Sequence, residues 1–339
     1  MELRNYAARR IVLAIIIIIG ISLIGFVLIR LVPANPGALW AGRHATQEQM
    51  EAAERELGLD KPVLTQYLIF AGKFFQGDFG NSLSTKQPIR SDIGKYLPAS
   101  LELIVLSLII AFLIGVPLGV LSSSKKDTFA DHGSRVFAIA GVSLASFWLA
   151  MMLQIIFFSK LGILPLEGRV SMDVIINYPI QRITGFNLVD ALITRNWMGF
   201  VNTAKHLILP SLALAAYPIG MVTRMTRTKM VEVLNEDYIC AARASGLSEK
   251  TILFRYAFKP SAGPLLTISG LIFAYMLTST ALVEFVFSWP GLGRYLVSSL
   301  FVGDYPAIMG ITLVAATAYV FVNLAVDLLQ AVIDPRIKY

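Results

Sequence analysis

Ile11-Val-Leu-Ala-Ile-Ile-Ile-Ile-Ile-Gly-Ile-Ser-Leu-Ile-Gly-Phe-Val-Leu-Ile29 runs for 19 residues without a charge, between Arg9-Arg10 and Arg30. A helix needs about 20 apolar residues to cross roughly 30 Å of hydrocarbon, so the stretch reads as a membrane span. It is longer than the core of a secretory signal, and no small-residue cleavage site precedes Arg30, which makes it a retained first span. Five further uncharged runs follow, at 103–121, 136–158, 207–223, 263–283 and 307–326. The fourth is the shortest and holds Pro210 and Pro218, where kinks are expected.

Composition agrees with a chain immersed in lipid. Of 339 residues, 56% are apolar and 15% charged, against about 25% charged in soluble domains. The mean hydropathy is +0.67. A water-facing surface cannot be covered from such a composition, and disorder is excluded. The formal charge of +7 belongs to membrane orientation rather than to nucleic acid binding. Cys240 is alone, and His44, His132 and His206 lie far apart, so neither an internal disulfide nor a thiolate or imidazole metal cluster is expected.

Basic residues resist translocation and mark the cytoplasmic side. With the N-terminus inside, segments 1–10, 122–135, 224–259 and 334–339 carry 15 Lys and Arg in 66 residues. The opposite segments, 30–102, 160–206 and 284–304, carry 14 in 141. Less than half the density places both termini in the cytoplasm.

The first outer loop, 32–100, is long enough to fold. Thr46 with Gln49 has capping-box spacing, Met50, Ala53 and Leu57 recur at helical intervals, and Gly58 supplies an end. Pro62 then opens a second helix through Tyr67 and Phe70 to Gln76, stopped by Gly77. That helix is too short to span and holds Lys73, so it is read as interfacial.

No phosphate-cradling loop is present. Gly72-Lys73 and Gly94-Lys95 lack the upstream glycines and the following hydroxyl residue, so any ATP is hydrolysed by another chain. An ion-coupled carrier, a channel or a membrane hydrolase would carry ionisable groups in mid-span. Here Glu102, Glu284 and Asp327 sit at or near span ends, where water contact or a bond to a neighbouring helix is the simpler role.

The inner segment 224–262 is too long for a turn and too apolar to be simply solvated. Asp237 to Ser245 form a short helix ended by Gly246, and Ser248 caps a second helix through Phe258. Ala241, Ala242 and Ala244 give a small face that a partner can approach, rimmed by Arg243, Lys250 and Arg255. From spacing alone, a basic loop with an ordinary helix C-cap and a docking element read equally well.

Asp237-Tyr-Ile-Cys-Ala-Ala-Arg-Ala-Ser-Gly246 resembles the cytoplasmic coupling loop, the EAA loop, of ABC importer permeases of bacteria and archaea. It is similar to the dipeptide, oligopeptide and nickel branch, whose typical form is Asp-Tyr-Ile-Arg-Thr-Ala-Arg-Ala-Lys-Gly. Cys240 stands where the general motif has glutamate, and Pro264 where its closing proline is expected. Leu57-Gly-Leu-Asp-Lys-Pro62 with Gln66-Tyr67, Gly77-Asp-Phe-Gly-Asn-Ser82, Phe287-Ser-Trp-Pro-Gly-Leu-Gly-Arg294, Asn323-Leu-Ala-Val-Asp-Leu-Leu329 and Asp334-Pro-Arg-Ile337 match the same branch. Pro33-Ala-Asn-Pro36 departs from its usual Pro-Gly-Asp-Pro. The long first loop and the stretch from Gly168-Arg-Val-Ser171 to Thr184-Gly-Phe186 look most like the first permease subunit of a dipeptide importer.

The resemblance implies an all-α polytopic membrane protein of six transmembrane helices, of the type I ABC importer kind, as one domain over 1–339. It implies a second homologous permease subunit, two ABC ATPases that hold ATP and Mg in place of any cofactor in this chain, and an extracytoplasmic binding protein. It places the chain in the cell (inner) membrane of a bacterium or archaeon, and assigns ATPase coupling to Asp237, Cys240, Ala241, Ala242, Arg243, Ala244, Gly246 and Leu247. Peptides are the expected substrate; nickel chelates, glutathione and oligosaccharides are carried by the same branch.

Overall fold

The computed structural model describes residues 3–31, 46–48, 62–126 and 128–333. Its elements are helices: α1 (Leu3–Leu31), α2 (Val63–Phe75), α3 (Ile89–Ser124), α4 (Phe129–Ser143), α5 (Ser146–Leu153, prolonged by a π-helical stretch Gln154–Lys160), α6 (Met172–Asn177), α7 (Asn187–Ile193), α8 (Trp197–Leu234), α9 (Asp237–Ala244), α10 (Glu249–Thr251), α11 (Lys259–Val286), α12 (Leu292–Val302) and α13 (Tyr305–Ile333). A second π-helical stretch, Ile252–Phe258, joins α10 to α11.

Five helices among the described residues are long and apolar enough to cross a membrane, and they contain five of the six runs expected from the sequence. The polar ends of the helices carry them well past their apolar runs. The third run departs from a simple span. It is divided between α4 and α5, which meet at 104°, with Leu144 and Ala145 in extended conformation. No Pro or Gly sits at the break; α4 packs on α8, and beyond the turn α5 packs on both α8 and α11. Hydropathy sees one apolar run because the side chains do not change character there. Pro210 and Pro218 lie inside α8, which remains a single helix.

Helix α8 is the most buried of the long helices and α1 the least. Small residues bring backbones together around α8, as is usual between membrane helices. A Cβ on Gly119 of α3 would stand 2.5 Å from the Thr226 Cβ, and one on Gly220 2.4 Å from the Ala138 carbonyl oxygen of α4. The central core comprises Leu103, Ile104, Leu207, Leu214, Ile272 and Met276 with Trp289 at one end. Large apolar side chains such as Ile16, Leu113, Val136, Leu271 and Phe321 point outward, as lipid requires. Helix α1 lies at the edge, against α13 and α2.

Expectations for the first loop divide at residue 62. Helix α2 begins after Pro62 and ends at Phe75, with Gly77 at φ +74°, as its residues indicate. The first amphipathic helix, Pro33-Ala-Asn-Pro36 and Asp334-Pro-Arg-Ile337 fall almost wholly outside the described residues.

The three carboxylates near span ends each bond a neighbouring element. Glu102 pairs with Arg169 and accepts the Leu188 amide at 2.8 Å. Glu284 accepts Ser100 Oγ at 2.5 Å and the Arg294 amide at 2.9 Å, and Asp327 pairs with Arg10 at 2.6 Å. Trp289 Nε1 donates to the Ala99 carbonyl at 3.0 Å, so α3 and the turn after α11 are tied together. A buried charge or amide in such surroundings is tolerable only when bonded.

Candidate coupling site

The chain leaves the membrane-spanning part of α8 through Arg224, Arg227 and Lys229 and turns at Asn235. Glu236 occupies the position before α9, and Asp237 lies in its first turn, where the helix dipole favours negative charge. At the far end the Gly246 amide bonds the Arg243 carbonyl at 3.0 Å and the Leu247 amide the Ala242 carbonyl at 3.3 Å. These two bonds and the left-handed Gly246, φ +76°, make a Schellman ending. Ser248 Oγ then accepts the Thr251 amide at 3.4 Å and opens α10.

Two side-chain bonds close the knuckle on itself. Arg243 Nε meets Glu249 Oε1 at 3.0 Å across the turn, and Tyr238 OH donates to the Tyr256 carbonyl at 3.2 Å. The second helix does not stop at Phe258 as its sequence pattern suggested. It passes through the π-helical stretch into α11, and Glu249–Val286 is one apolar span candidate. The knuckle is therefore the root of a long helix rather than a free pair.

One face of α9 is buried. Ile239 and Ala242 join Val120 of α3, Met230 of α8, Ile252 and Ala257 in a separate apolar cluster. This corrects the expectation that Ala242 faces a partner: it is 8% exposed, because the i, i+3 pair of Ile239 and Ala242 is the stripe that seats α9 on the bundle. The sites Asp237, Cys240, Ala241, Arg243, Ala244, Gly246 and Leu247 are all exposed. Cys240 is a free thiol.

Sequence reading missed the seating residues Val120, Met230, Ile239 and Ile252, three of them on other elements. It also missed a carboxylate clasp at the same end of the bundle. Asp131 of α4 is fully buried and accepts Arg227 Nε and Nη2 at 2.8 and 2.9 Å and Ser122 Oγ at 2.5 Å. It joins α3, α4 and α8 beneath the knuckle. Forked pairing of this kind fixes geometry as well as charge.

At the opposite end, segment 161–196 is organised by carboxylates. Burial pushes the Asp190 carboxyl up, but bonds from Thr184 Oγ1 and from the amides of Thr184, Gly185 and Ile183 outweigh it and hold it below the usual carboxylate range. On α12, burial raises the Tyr295 phenol above its ordinary range, reinforced by the Asp92 and Asp304 carboxylates nearby. Among the described residues no group of three or more His, Cys, Asp or Glu side chains is placed to hold a metal ion.

The structure thus sets an apolar bundle above a knuckle that closes on itself at the basic end. Residues 115–339 match the family described as binding-protein-dependent transport system inner membrane component, and residues 3–104 match the N-terminal part of such membrane components. The chain is 40% identical over 334 residues to the dipeptide transport system permease protein DppB of Alkalihalophilus pseudofirmus, covering 98% of this chain and 99% of that one. It is 41% identical over 325 residues to the probable D,D-dipeptide transport system permease protein DdpB of Escherichia coli, covering 95% and 94%. It is 35% identical over 335 residues to the oligopeptide transport system permease protein AppB of Bacillus subtilis, covering 98% and 99%. The chain therefore belongs to the family of binding-protein-dependent transport system inner membrane components.

Proposed function

We propose that this chain is the transmembrane permease subunit of an ATP-driven importer of short peptides, forming half of the path with a second homologous permease. Its knuckle receives motion from two separate ATPases, and a binding protein delivers substrate at the Trp289 end. The observation that carries the reading is the two-sidedness of α9. Its inner stripe is locked to α3, α8 and the root of α11, while its outer residues are exposed. A partner that grips the outer face in only one of two states would shift the equilibrium of all three helices. The names of the relatives support dipeptides or oligopeptides as substrate. The basic-residue asymmetry supports a cell-membrane location with both termini cytoplasmic.

Reconstitution tests this. Proteoliposomes with the four membrane and ATPase subunits should accumulate labelled Ala-Ala only when ATP and the binding protein are supplied. Accumulation driven by a proton or sodium gradient without ATP would contradict the reading. Uptake of a nickel chelate or an oligosaccharide and not of peptides would replace the substrate. After Cys240→Ser, a cysteine placed at Ser84 should label from outside and one at Ser248 only once the inner face is opened.

A further inference from the structure

Two adjoining hollows of about 420 and 590 Å³ lie at the Trp289 end, sharing Gly168, Val170, Ile175 and Ser288 in their walls. This is within the size of ligand clefts, roughly 300–1,000 Å³. Val170, Met172 and Ile175 make the larger one partly apolar, and Glu167, Arg294 and His206 also line it. The two opposite charges do not pair with each other. Glu167 is exposed and has no hydrogen bond or ion pair among the described residues. Arg294 spends one side-chain N–H, on Nη1, on the Ser288 carbonyl at 2.7 Å, and Nε and Nη2 are unengaged. His206 Nδ1 lies 2.9 Å from the Asn202 carbonyl; a carbonyl only accepts, so Nε2 is left as an acceptor.

The frame around these groups is fixed. The Gly168 amide donates to the Phe287 carbonyl at 2.9 Å, and the Ser171 amide and hydroxyl are held by the Asn202 amide group, each at 2.9 Å. The Arg294 amide is held by Glu284. An unpaired carboxylate and an unpaired guanidinium on one rigid hollow suit a molecule that carries both opposite charges. A dipeptide does: its ammonium and carboxylate stand up to about 7 Å apart when extended, and its side chains can rest on the apolar wall.

We infer that this hollow is a transit site for a zwitterionic short peptide, in which Glu167 takes the terminal ammonium and Arg294 the terminal carboxylate. It rests on the importer reading above. The site would hold a peptide released from the binding protein before it enters the bundle, and it would admit peptides by their termini rather than by their side chains.

The assembled complex in nanodiscs, without binding protein, should transfer saturation in NMR to the methyl groups of Ala-Ala. N-acetyl-Ala-Ala and Ala-Ala-amide should bind about fivefold more weakly, the scale of one exposed ion pair. Glu167→Gln should weaken Ala-Ala about fivefold and leave N-acetyl-Ala-Ala where it was; Arg294→Gln should do the same with respect to Ala-Ala-amide. If Arg294→Gln fails to assemble, the Glu167 arm decides alone, since that side chain supports nothing else. The site is overturned if no peptide receives saturation on the wild type, or if Glu167→Gln changes neither peptide or changes both equally. Uptake of Ala-Ala by the wild-type complex separates the two readings: its absence fails the importer itself, whereas uptake without the pairing pattern fails only the site.

Discussion

The Leu247 amide returns to the Ala242 carbonyl at 3.3 Å, and the turn it closes folds the helix that follows back against α9. The bond is possible because Gly246 is left-handed, with open space where a Cβ would stand. Replacement therefore meets no collision, only the backbone cost of roughly 1–2 kcal/mol. Gly246→Val should reduce binding-protein-stimulated ATP hydrolysis several-fold, while Gly246→Asn, which accepts this conformation more readily, should keep most of it. Equal activity of the two variants would mean that the turn does not aim the knuckle.

Neighbouring alanines should respond in opposite ways. Ala241 is exposed and Ala242 is buried against Ile239, Val120 and Ile252. Ala241→Trp should leave the thermal midpoint of the purified protein unchanged and abolish co-purification of the ATPase. Ala242→Trp should lower the midpoint as well, because overpacking costs about 1–3 kcal/mol. An unchanged midpoint for Ala242→Trp would remove α9's seat from the account.

Glu284 should behave as a structural acceptor. Glu284→Ala leaves the Arg294 amide and one Ser100 bond unmade in a buried place, a loss of about 2–3 kcal/mol. The prediction is a lower thermal midpoint in detergent and earlier proteolysis between residues 288 and 294. A midpoint equal to wild type would show that the turn after α11 holds without it.

Asp190 sets a pH dependence with a definite sign. Its carboxyl is held below the usual carboxylate range in the folded protein, so the stability it supplies is present above the unfolded carboxylate's ordinary value and fades as pH falls through the lowered one. Amide hydrogen exchange at Thr184 and Gly185 should be slow and unaffected by Asp190 titration at neutral pH, and faster in Asp190→Asn. The difference between wild type and variant should shrink in strong acid. A difference that grew on acidification would reverse the assignment.

Much of the bundle was legible because the lipid filter is severe. Ile11 to Ile29 has one plausible physical home, and the runs in α3, α11 and α13 were equally plain; the run in α8, the shortest and interrupted by Pro210 and Pro218, was less so. The break at Leu144 and Ala145 was not, since it answers to what α4 and α5 pack against and not to any residue within the run. The knuckle was half legible. Gly246 and Ser248 announced the turn, but the burial of Ala242 depends on Val120 and Met230, which lie far away in sequence. Asp131 and Arg227 are 96 residues apart, and no local pattern links them.

Cys240 offers the most direct test of the central claim, because the chain has no other cysteine and this one is exposed on α9. A thiol-reactive photo-crosslinker attached there in the assembled complex should join this chain to the ATPase subunit, with a yield that changes between nucleotide-free and ATP-bound states. Crosslinks to lipid alone, in a complex whose ATP hydrolysis still responds to the binding protein, would show that coupling runs through another surface.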